Sequence, residues 1–301
     1  MDFRKTIPFV LLLLSLVNLS FSQNKIVVFQ SDFGVKDGAV SAMKGVAMGV
    51  DTNLKLYDLT HEIPAYNIWE AAYRLEQTVN YWPAGTVFVS VVDPGVGSNR
   101  KSVVVKTKTG HFIVTPDNGT LTLIAESLGI AERREIDETL NRRNGSEESY
   151  TFHGRDVYAY TGARLAAGVI SFEQVGKLLP ADSVVKIPYQ HAKKEGNSIK
   201  GNISILDVQY GNIWTNIPAA LFKQLNIGFG QQLHITLYKN KTKIYEGHAP
   251  YVQTFSAVAR GKELVYVNSL MQLSFALNQG SFAAKYGVGS GSEWNVEVSK
   301  E

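Results

Sequence analysis

The sequence of 301 residues contains no cysteine. That absence excludes disulfides, thiolate nucleophiles and cysteine-bound zinc together, and leaves burial of apolar surface to hold the fold. An excess of one charge is missing too. Thirty Lys and Arg stand against 27 Asp and Glu, a net of +3. No basic block is interleaved with aromatics, so nucleic acid is not expected as a partner. The six histidines, at 61, 111, 153, 191, 234 and 248, lack the paired spacing of a metal site. Neither a Gly-x-Ser-x-Gly elbow nor a His-Glu-x-x-His helix is present. No metal and no cofactor is expected. Gly95-Val-Gly-Ser-Asn-Arg100-Lys-Ser has the outline of a phosphate loop, but that motif and the dinucleotide fingerprint both need glycine where Arg100 stands.

A long apolar run occurs only at the start. Arg4 and Lys5 precede Ile7–Leu19, which is broken only by Pro8, Ser15 and Asn18, and small residues frame a cleavage position at Ser20-Phe21-Ser22. This is the three-part pattern of a secretory signal peptide over residues 1–22. It predicts cleavage near Ser22 and export, to the periplasm or beyond the cell. The run falls short of the about 20 apolar residues of a spanning helix. An uncleaved anchor is the other reading.

After residue 23 the pattern alternates. Lys25–Gln30, Leu54–Leu59 and Thr86–Val92 read as buried strands, with helices expected over Asp37–Val50 and Asn67–Tyr81. Strand, helix, strand, helix, strand is the grammar of a mostly parallel sheet with flanking helices. Ser102–Thr107 and His111–Thr115 read as a hairpin, Thr120–Leu128 and Asp156–Ala167 as helices. The texture changes between about Ala181 and Gly201. Beyond it, short turn-separated segments at Ile203–Asp207, Gln232–Tyr238, Lys243–Glu246 and Leu264–Asn268 read as strands. Two domains are expected: an α/β N-terminal domain over residues 24–190 and a smaller β-rich C-terminal domain over residues 198–301.

Ligands of open α/β sheets bind beyond the carboxyl ends of strands, and three polar segments meet that condition. They are Ser31-Asp32-Phe-Gly with Asp37 close behind, Asp93 through Arg100, and Thr151-Phe-His153-Gly-Arg155-Asp156. Each has a plainer reading: Asp32 and Asp156 as helix caps, His153 as a packed core histidine, Arg155 as an ion-pair partner. In the second domain, Asp207-Val-Gln-Tyr210-Gly-Asn212 puts an aromatic plane beside an amide. That pair suits a purine, or alternatively a polar turn with a packed tyrosine.

Taken together, SDFGVKDG (31–38), DPGVGSNR (93–100), PDNGT (116–120), FHGRD (152–156), DVQYGN (207–212) and NSLMQLSFALNQG (268–280) resemble the S-adenosyl-L-methionine hydroxide adenosyltransferase family. These are the S-adenosylmethionine hydrolases related to fluorinase and chlorinase. The resemblance covers nearly the whole chain from Lys25. It implies hydrolysis of S-adenosyl-L-methionine to adenosine and L-methionine, with water attacking ribose C5′. It also implies a homotrimer whose sites lie between one subunit's N-terminal domain and its neighbour's C-terminal domain. The family's water-activating set falls on Asp93, Arg100 and His153. Its ribose carboxylate falls on Asp32, a methionine-side carboxylate on Asp37, and a nucleoside-packing aromatic on Tyr66. Asp207, Tyr210 and Asn212 match residues that hold the methionine amine and adenine, and Ser269 one near the methionine carboxylate. Halogenating relatives lack the aspartate of DPGVG, and fluorinase has its halide-binding serine where Gly154 stands. The chain departs from the family's Asn-Ser-x-Gly, because Leu270-Met271 follow Ser269. The alternatives are an exported nucleoside-binding protein without turnover and a metal-dependent hydrolase using Asp32, Asp93 and His153.

Overall fold

A computed structural model describes residues 24–300; the leader read over residues 1–22 lies outside the described residues. The first half runs β1 (Ile26–Ser31), α1 (Ala39–Val50), β2 (Lys55–Thr60), α2 (Ile68–Val79), β3 (Val87–Val91), β4 (Ser102–Thr107), β5 (Phe112–Pro116), α3 (Thr122–Ser127), β6 (Ile130–Glu135) and α4 (Glu138–Asn141). A π-helical turn, Gly154–Ala159, then passes straight into α5 (Tyr160–Ala167), and a short β7 (Leu178–Leu179) follows. The helix expected over Asp156–Ala167 therefore begins as a wider coil.

These strands form one sheet in the order β2-β1-β3-β5-β4-β6-β7. The pairings β1 with β2, β1 with β3 and β3 with β5 are parallel; those of β4 with β5, β4 with β6 and β6 with β7 are antiparallel. Five of the seven strands thus point one way. Side chains alternate across the sheet as the pleat requires. Val27 and Phe29 pack with Met43, Val157 and Leu165 on one face, and Val28 packs with Leu75 and Ile124 on the other. All five residues of β3 are buried, as a strand covered on both faces needs. Because β2 and β3 lie on opposite sides of β1, the strand order reverses between β1 and β3. That switch point opens a crevice at their carboxyl ends.

The second half contains β8 (Lys193–Glu195), β9 (Ser198–Leu206), β10 (Ile213–Pro218), α6 (Ala219–Phe222), β11 (Gln232–Lys239), β12 (Thr242–Pro250), β13 (Glu263–Val267), β14 (Gln272–Leu277), α7 (Phe282–Tyr286) and β15 (Trp294–Lys300). The order β12-β11-β15-β9-β10-β14-β13 has β8 added beside β9. The sheet curls until its ends meet: Val252, just past β12, donates its amide to Val265 of β13 at 2.8 Å. The barrel-like interior holds Ile203, Leu237, Phe275 and Val298. The two halves touch through Trp69, whose indole donates to the Ser204 carbonyl at 2.8 Å and meets Tyr189 edge-on at 5.0 Å. No helix among the described residues is long and apolar enough to cross a membrane.

Two glycines test this packing. A Cβ on Gly162 of α5 would lie 2.6 Å from Val89 of β3, whereas one on Gly45 of α1 would meet nothing within 4 Å. Glycine to alanine inside a helix ordinarily stabilises by about 0.5–1 kcal/mol, and overpacking costs about 1–3 kcal/mol. In urea denaturation Gly45→Ala is expected to raise the unfolding free energy by about 0.5–1 kcal/mol, and Gly162→Ala to lower it by about 1 kcal/mol or more.

Candidate active site

The crevice between β1 and β3 is where the charged residues gather. Asp93 follows β3, and a tight double turn returns the chain. Val96 and Ser98 donate their amides to the carbonyls of Asp93 and Gly95 at 3.2 and 2.9 Å, and Gly97 takes φ +77°. Arg100 is thereby laid back over Asp93. Its Nε donates to Asp93 Oδ1 at 2.9 Å and Oδ2 at 3.1 Å, and its Nη2 to Oδ2 at 2.5 Å. Asn118 of the PDNGT segment fastens the end of β3, donating to the Val92 carbonyl at 2.9 Å.

The network behind this pair has its protons fixed by counting. Arg100 Nη1 donates to Ser102 Oγ at 3.0 Å, Ser102 Oγ lies 3.2 Å from Tyr158 Oη, and Tyr158 lies 3.3 Å from Asp93 Oδ2. A carboxylate only accepts, so the single Tyr158 proton goes to Asp93 and Ser102 must donate to Tyr158. Tyr158 is wholly buried. Burial first, and Asp93 second, push its phenol well above the ordinary range, so it keeps that proton. Asp93 Oδ1 receives only the Nε of Arg100 and retains a lone pair for another donor.

His153 closes the site from the third segment. Its Nδ1 lies 2.9 Å from Arg100 Nη2, and its Nε2 lies 3.1 Å from Arg142 Nη2. Burial is the main cause holding its imidazole below the usual range; Glu138 works against it, Arg100 and Arg142 add to it, and Asp93 opposes. Sequence reasoning predicts a group able to take a proton near neutrality, and this surrounding disfavours that protonation. A ring flanked on both nitrogens by guanidinium groups is also a poor metal ligand. Among the described residues no cluster of three His, Asp or Glu side chains suits a metal ion, so the set Asp32, Asp93 and His153 finds no support as a metal centre.

The FHGRD segment is anchored from below. A Cβ on Gly154 would stand 3.1 Å from the Phe33 ring and 3.2 Å from Val91, so the segment approaches the sheet closely because that residue lacks a side chain. Asp156 is fully buried and accepts from Arg155 Nε at 2.7 Å and Nη2 at 2.8 Å, and from Arg143 Nε at 3.1 Å. Burial raises its carboxyl, and the hydrogen bonds from Arg155 and Arg143 outweigh that and hold it below the ordinary range. Asp156 therefore fastens the loop carrying His153, rather than capping a regular helix.

Asp32 and Tyr66 complete the crevice. Asp32 Oδ2 accepts the backbone amide of Tyr66 at 2.8 Å, and Tyr66 holds a left-handed backbone, φ +68°, with its side chain exposed. Asp32, Phe33, Tyr66, Asp93, Phe152 and His153 line a cavity of about 240 Å³. The remaining expected residues are not brought to it. Asp37 is exposed and accepts from the Ala39 amide at 2.8 Å, at the start of α1. Tyr210 and Asn212 line a separate C-terminal groove of about 720 Å³ with Phe255 and Leu277. Asn212 Nδ2 donates to Asp207 Oδ2 at 3.3 Å. Ser269 faces another groove, against α2 and Val208.

Arg142, Glu138, Tyr150 and Tyr158 belong to this site, and none carries a sequence signal. Arg142 and Arg143 precede Asn-Gly in a polar stretch that reads as a solvated loop, yet the Arg142 side chain is only 6% exposed. Replacing Asp156 by Asn leaves two arginines with a weaker buried partner, at a cost of about 2–3 kcal/mol. The expected result in chemical denaturation is a fall of that size, with loss of activity at temperatures where the loop loosens.

Two family models match the chain: the SAM hydroxide adenosyltransferase N-terminal domain over residues 27–176 and the corresponding C-terminal domain over residues 201–295. An (R)-S-adenosyl-L-methionine hydrolase of Methanocaldococcus jannaschii is 40% identical over 196 residues, 64% of this chain and 66% of that protein. One from Salinispora tropica is 31% identical, over 89% of this chain and 96% of its own. A fluorinase of Actinopolyspora mzabensis is 29% identical, over 88% and 95%. The crystal structure of an uncharacterized conserved protein from Thermotoga maritima superposes with a TM-score of 0.81 at 33% identity, covering 91% of this chain and all of that one. The chain belongs to the SAM hydroxide adenosyltransferase family.

Proposed function

We propose that this protein hydrolyses S-adenosyl-L-methionine to adenosine and L-methionine. The observation that carries the reading is the Asp93–Arg100–His153 cluster, of which Asp93 and His153 line a cavity together with Asp32 and Tyr66. Asp32 suits ribose, since one carboxylate accepts from two hydroxyls. Asp93 Oδ1 accepts from a water, and Arg100 beside it lowers the cost of hydroxide character on that water. The water oxygen bonds to C5′ as the C5′–S bond breaks. The electron pair of the C5′–S bond passes to sulfur, which leaves as the neutral thioether of methionine, and the water's proton passes by way of Asp93 to solvent. Charge on nucleophile and sulfonium is lost together, which a dry enclosure favours. Aligning water with C5′ is the larger contribution, about 7–11 kcal/mol of the barrier in well-oriented systems.

The cavity of about 240 Å³ is smaller than the roughly 300–1,000 Å³ of sites that enclose a whole ligand, and no residue of the second domain lines it. The groove at Tyr210 and Asn212 is its natural complement, an aromatic face and an amide for adenine. We therefore place the complete site between copies of the chain, in a homotrimer. Asp207 and Ser269 lie on the neighbour's side, with Asp37 serving the methionine end. Water is favoured over halide as nucleophile because Asp93 is present and Gly154 offers no hydroxyl to hold a halide. The leader over residues 1–22 assigns the mature protein to the exported fraction. Mass spectrometry of the exported material is expected to give an N-terminus at Gln23, and an intact Met1 would refute cleavage.

Chromatography of the protein incubated with S-adenosylmethionine is expected to show adenosine and methionine in equal amounts, unchanged by EDTA. Asp93→Ala and His153→Ala should each lower the rate by about 100-fold or more, as loss of a positioned polar group does. Tight adenosine binding without methionine release would favour the nucleoside-binding alternative, and a rate abolished by EDTA the metal-dependent one.

A further inference from the structure

His153 stands between two cations. Arg100 and Asp93 face it from the turn after β3, and Arg142 and Glu138 from α4 and its end. Tyr150 approaches edge-on at 6.1 Å from the loop before it, and Tyr158 at 6.4 Å from the π-helical turn. Arg142 is not a stray side chain. Its Nη2 donates to Glu138 Oε2 at 2.5 Å, its Nη1 to the Ser149 carbonyl at 3.2 Å, and its guanidinium lies 4.6 Å over the Tyr150 ring. Guanidinium nitrogens donate and never accept, and a neutral imidazole offers one lone pair. Only one of the two arginine contacts can then be a hydrogen bond. An imidazolium would set donor against donor at both nitrogens, and a third positive charge beside two.

We propose that Arg142 is a positioning residue for the reaction. Clamped by Glu138, it faces the ring nitrogen that Arg100 does not reach and holds His153 neutral, so that the ring orients Arg100 instead of collecting the proton of the attacking water. The inference rests on the hydrolytic reading for its catalytic meaning, but its physical content is a property of the protein without substrate. The lowered titration of His153 agrees with it. The sign follows for stability. The folded ring takes its proton at lower pH than the unfolded chain, so this contribution is complete above about pH 6.5 and is lost as pH falls below that value.

The test is a titration of His153 by ¹⁵N NMR in substrate-free protein, for wild type, Arg142→Gln, Arg142→Lys and Glu138→Gln. Removing the cation should raise the His153 midpoint by about one pH unit, the effect of a charge within hydrogen-bonding reach. Arg142→Lys keeps the charge and should stay near wild type, while Glu138→Gln should move the midpoint down. Opposite signs for the two neutralising variants are an electrostatic signature that a loosened loop does not give. In the same variants the acid limb of kcat/KM should follow the NMR midpoint. A His153 midpoint unmoved by Arg142→Gln and Glu138→Gln, or moved upward by both, overturns the proposal. If Arg142→Gln does not fold, Arg142→Met, close in length and uncharged, takes its place and should raise the midpoint in the same way. Wild type that releases no adenosine would remove the hydrolytic reading and leave the titration result standing by itself.

Discussion

The guanidinium of Arg100 is the group on which this site turns. Four of its five N–H bonds are directed: Nε and one Nη2 hydrogen to Asp93, the other Nη2 hydrogen to His153, and one Nη1 hydrogen to Ser102. Arginine cannot give up its proton, and its fork is rigid. It therefore fixes the polarity of everything it touches: Asp93 as an anion, Ser102 as a donor to Tyr158, and Tyr158 as a donor to Asp93. The turn after β3 and the first residue of β4, neighbours in sequence, are held in register with His153, which lies 53 residues beyond Arg100, by one planar cation. Taking such a pair out of water costs several kcal/mol per ion, so a buried ion pair is weak support for stability. Here the 5% exposure of the Asp93 side chain and the 11% of Arg100 make better sense as preorganisation for a reaction than as reinforcement of the fold.

The sheet supplies the place and the loops supply the chemistry. Reversal of strand order around β1 leaves two carboxyl-terminal ends without a crossing connection, and Asp32 and Asp93 follow those two ends. Among the described residues the crevice is lined by the N-terminal half, while Tyr210 and Asn212 line a separate groove of the C-terminal half. The division has an energetic logic. The N-terminal half holds charge in a rigid network, and the C-terminal half offers apolar and amide surface whose contribution depends on enclosure.

Much of this was legible from the sequence where the determining contacts are local. Asp93 and Arg100 are seven residues apart, and a glycine-rich double turn can do little but fold one onto the other. The buried strands β1 and β3 announce themselves by continuous apolar runs. Elsewhere tertiary contacts overrule local preference. β9 begins at Ser198, five residues before the strand expected from Ile203. It passes through Gly201, packed against Asn216 and Ile217, and Asn202, whose amide donates to the carbonyls of Gly291 and Trp294 at 2.7 Å each. Neither residue favours a strand by itself. Tyr158 was hidden for a geometric reason. Residues five apart on an α-helix point about 140° away from each other, which separates it from His153, whereas the wider i→i+5 turn brings the two to one side. Arg142 was hidden because a charge in a polar stretch gives no sign of being buried.

The left-handed backbone of Tyr66 carries a consequence for the crevice as a whole. A non-glycine residue in that region costs about 1–2 kcal/mol, and the Asp32 carboxylate offsets that strain by accepting the Tyr66 amide. The same carboxylate that suits a sugar diol is thus also the latch of the exposed aromatic at the rim. Any partner that draws Asp32 toward itself loosens the latch, and any movement of the rim is felt at the carboxylate. Occupancy of the floor and posture of the rim are in this way one equilibrium, written into a single hydrogen bond.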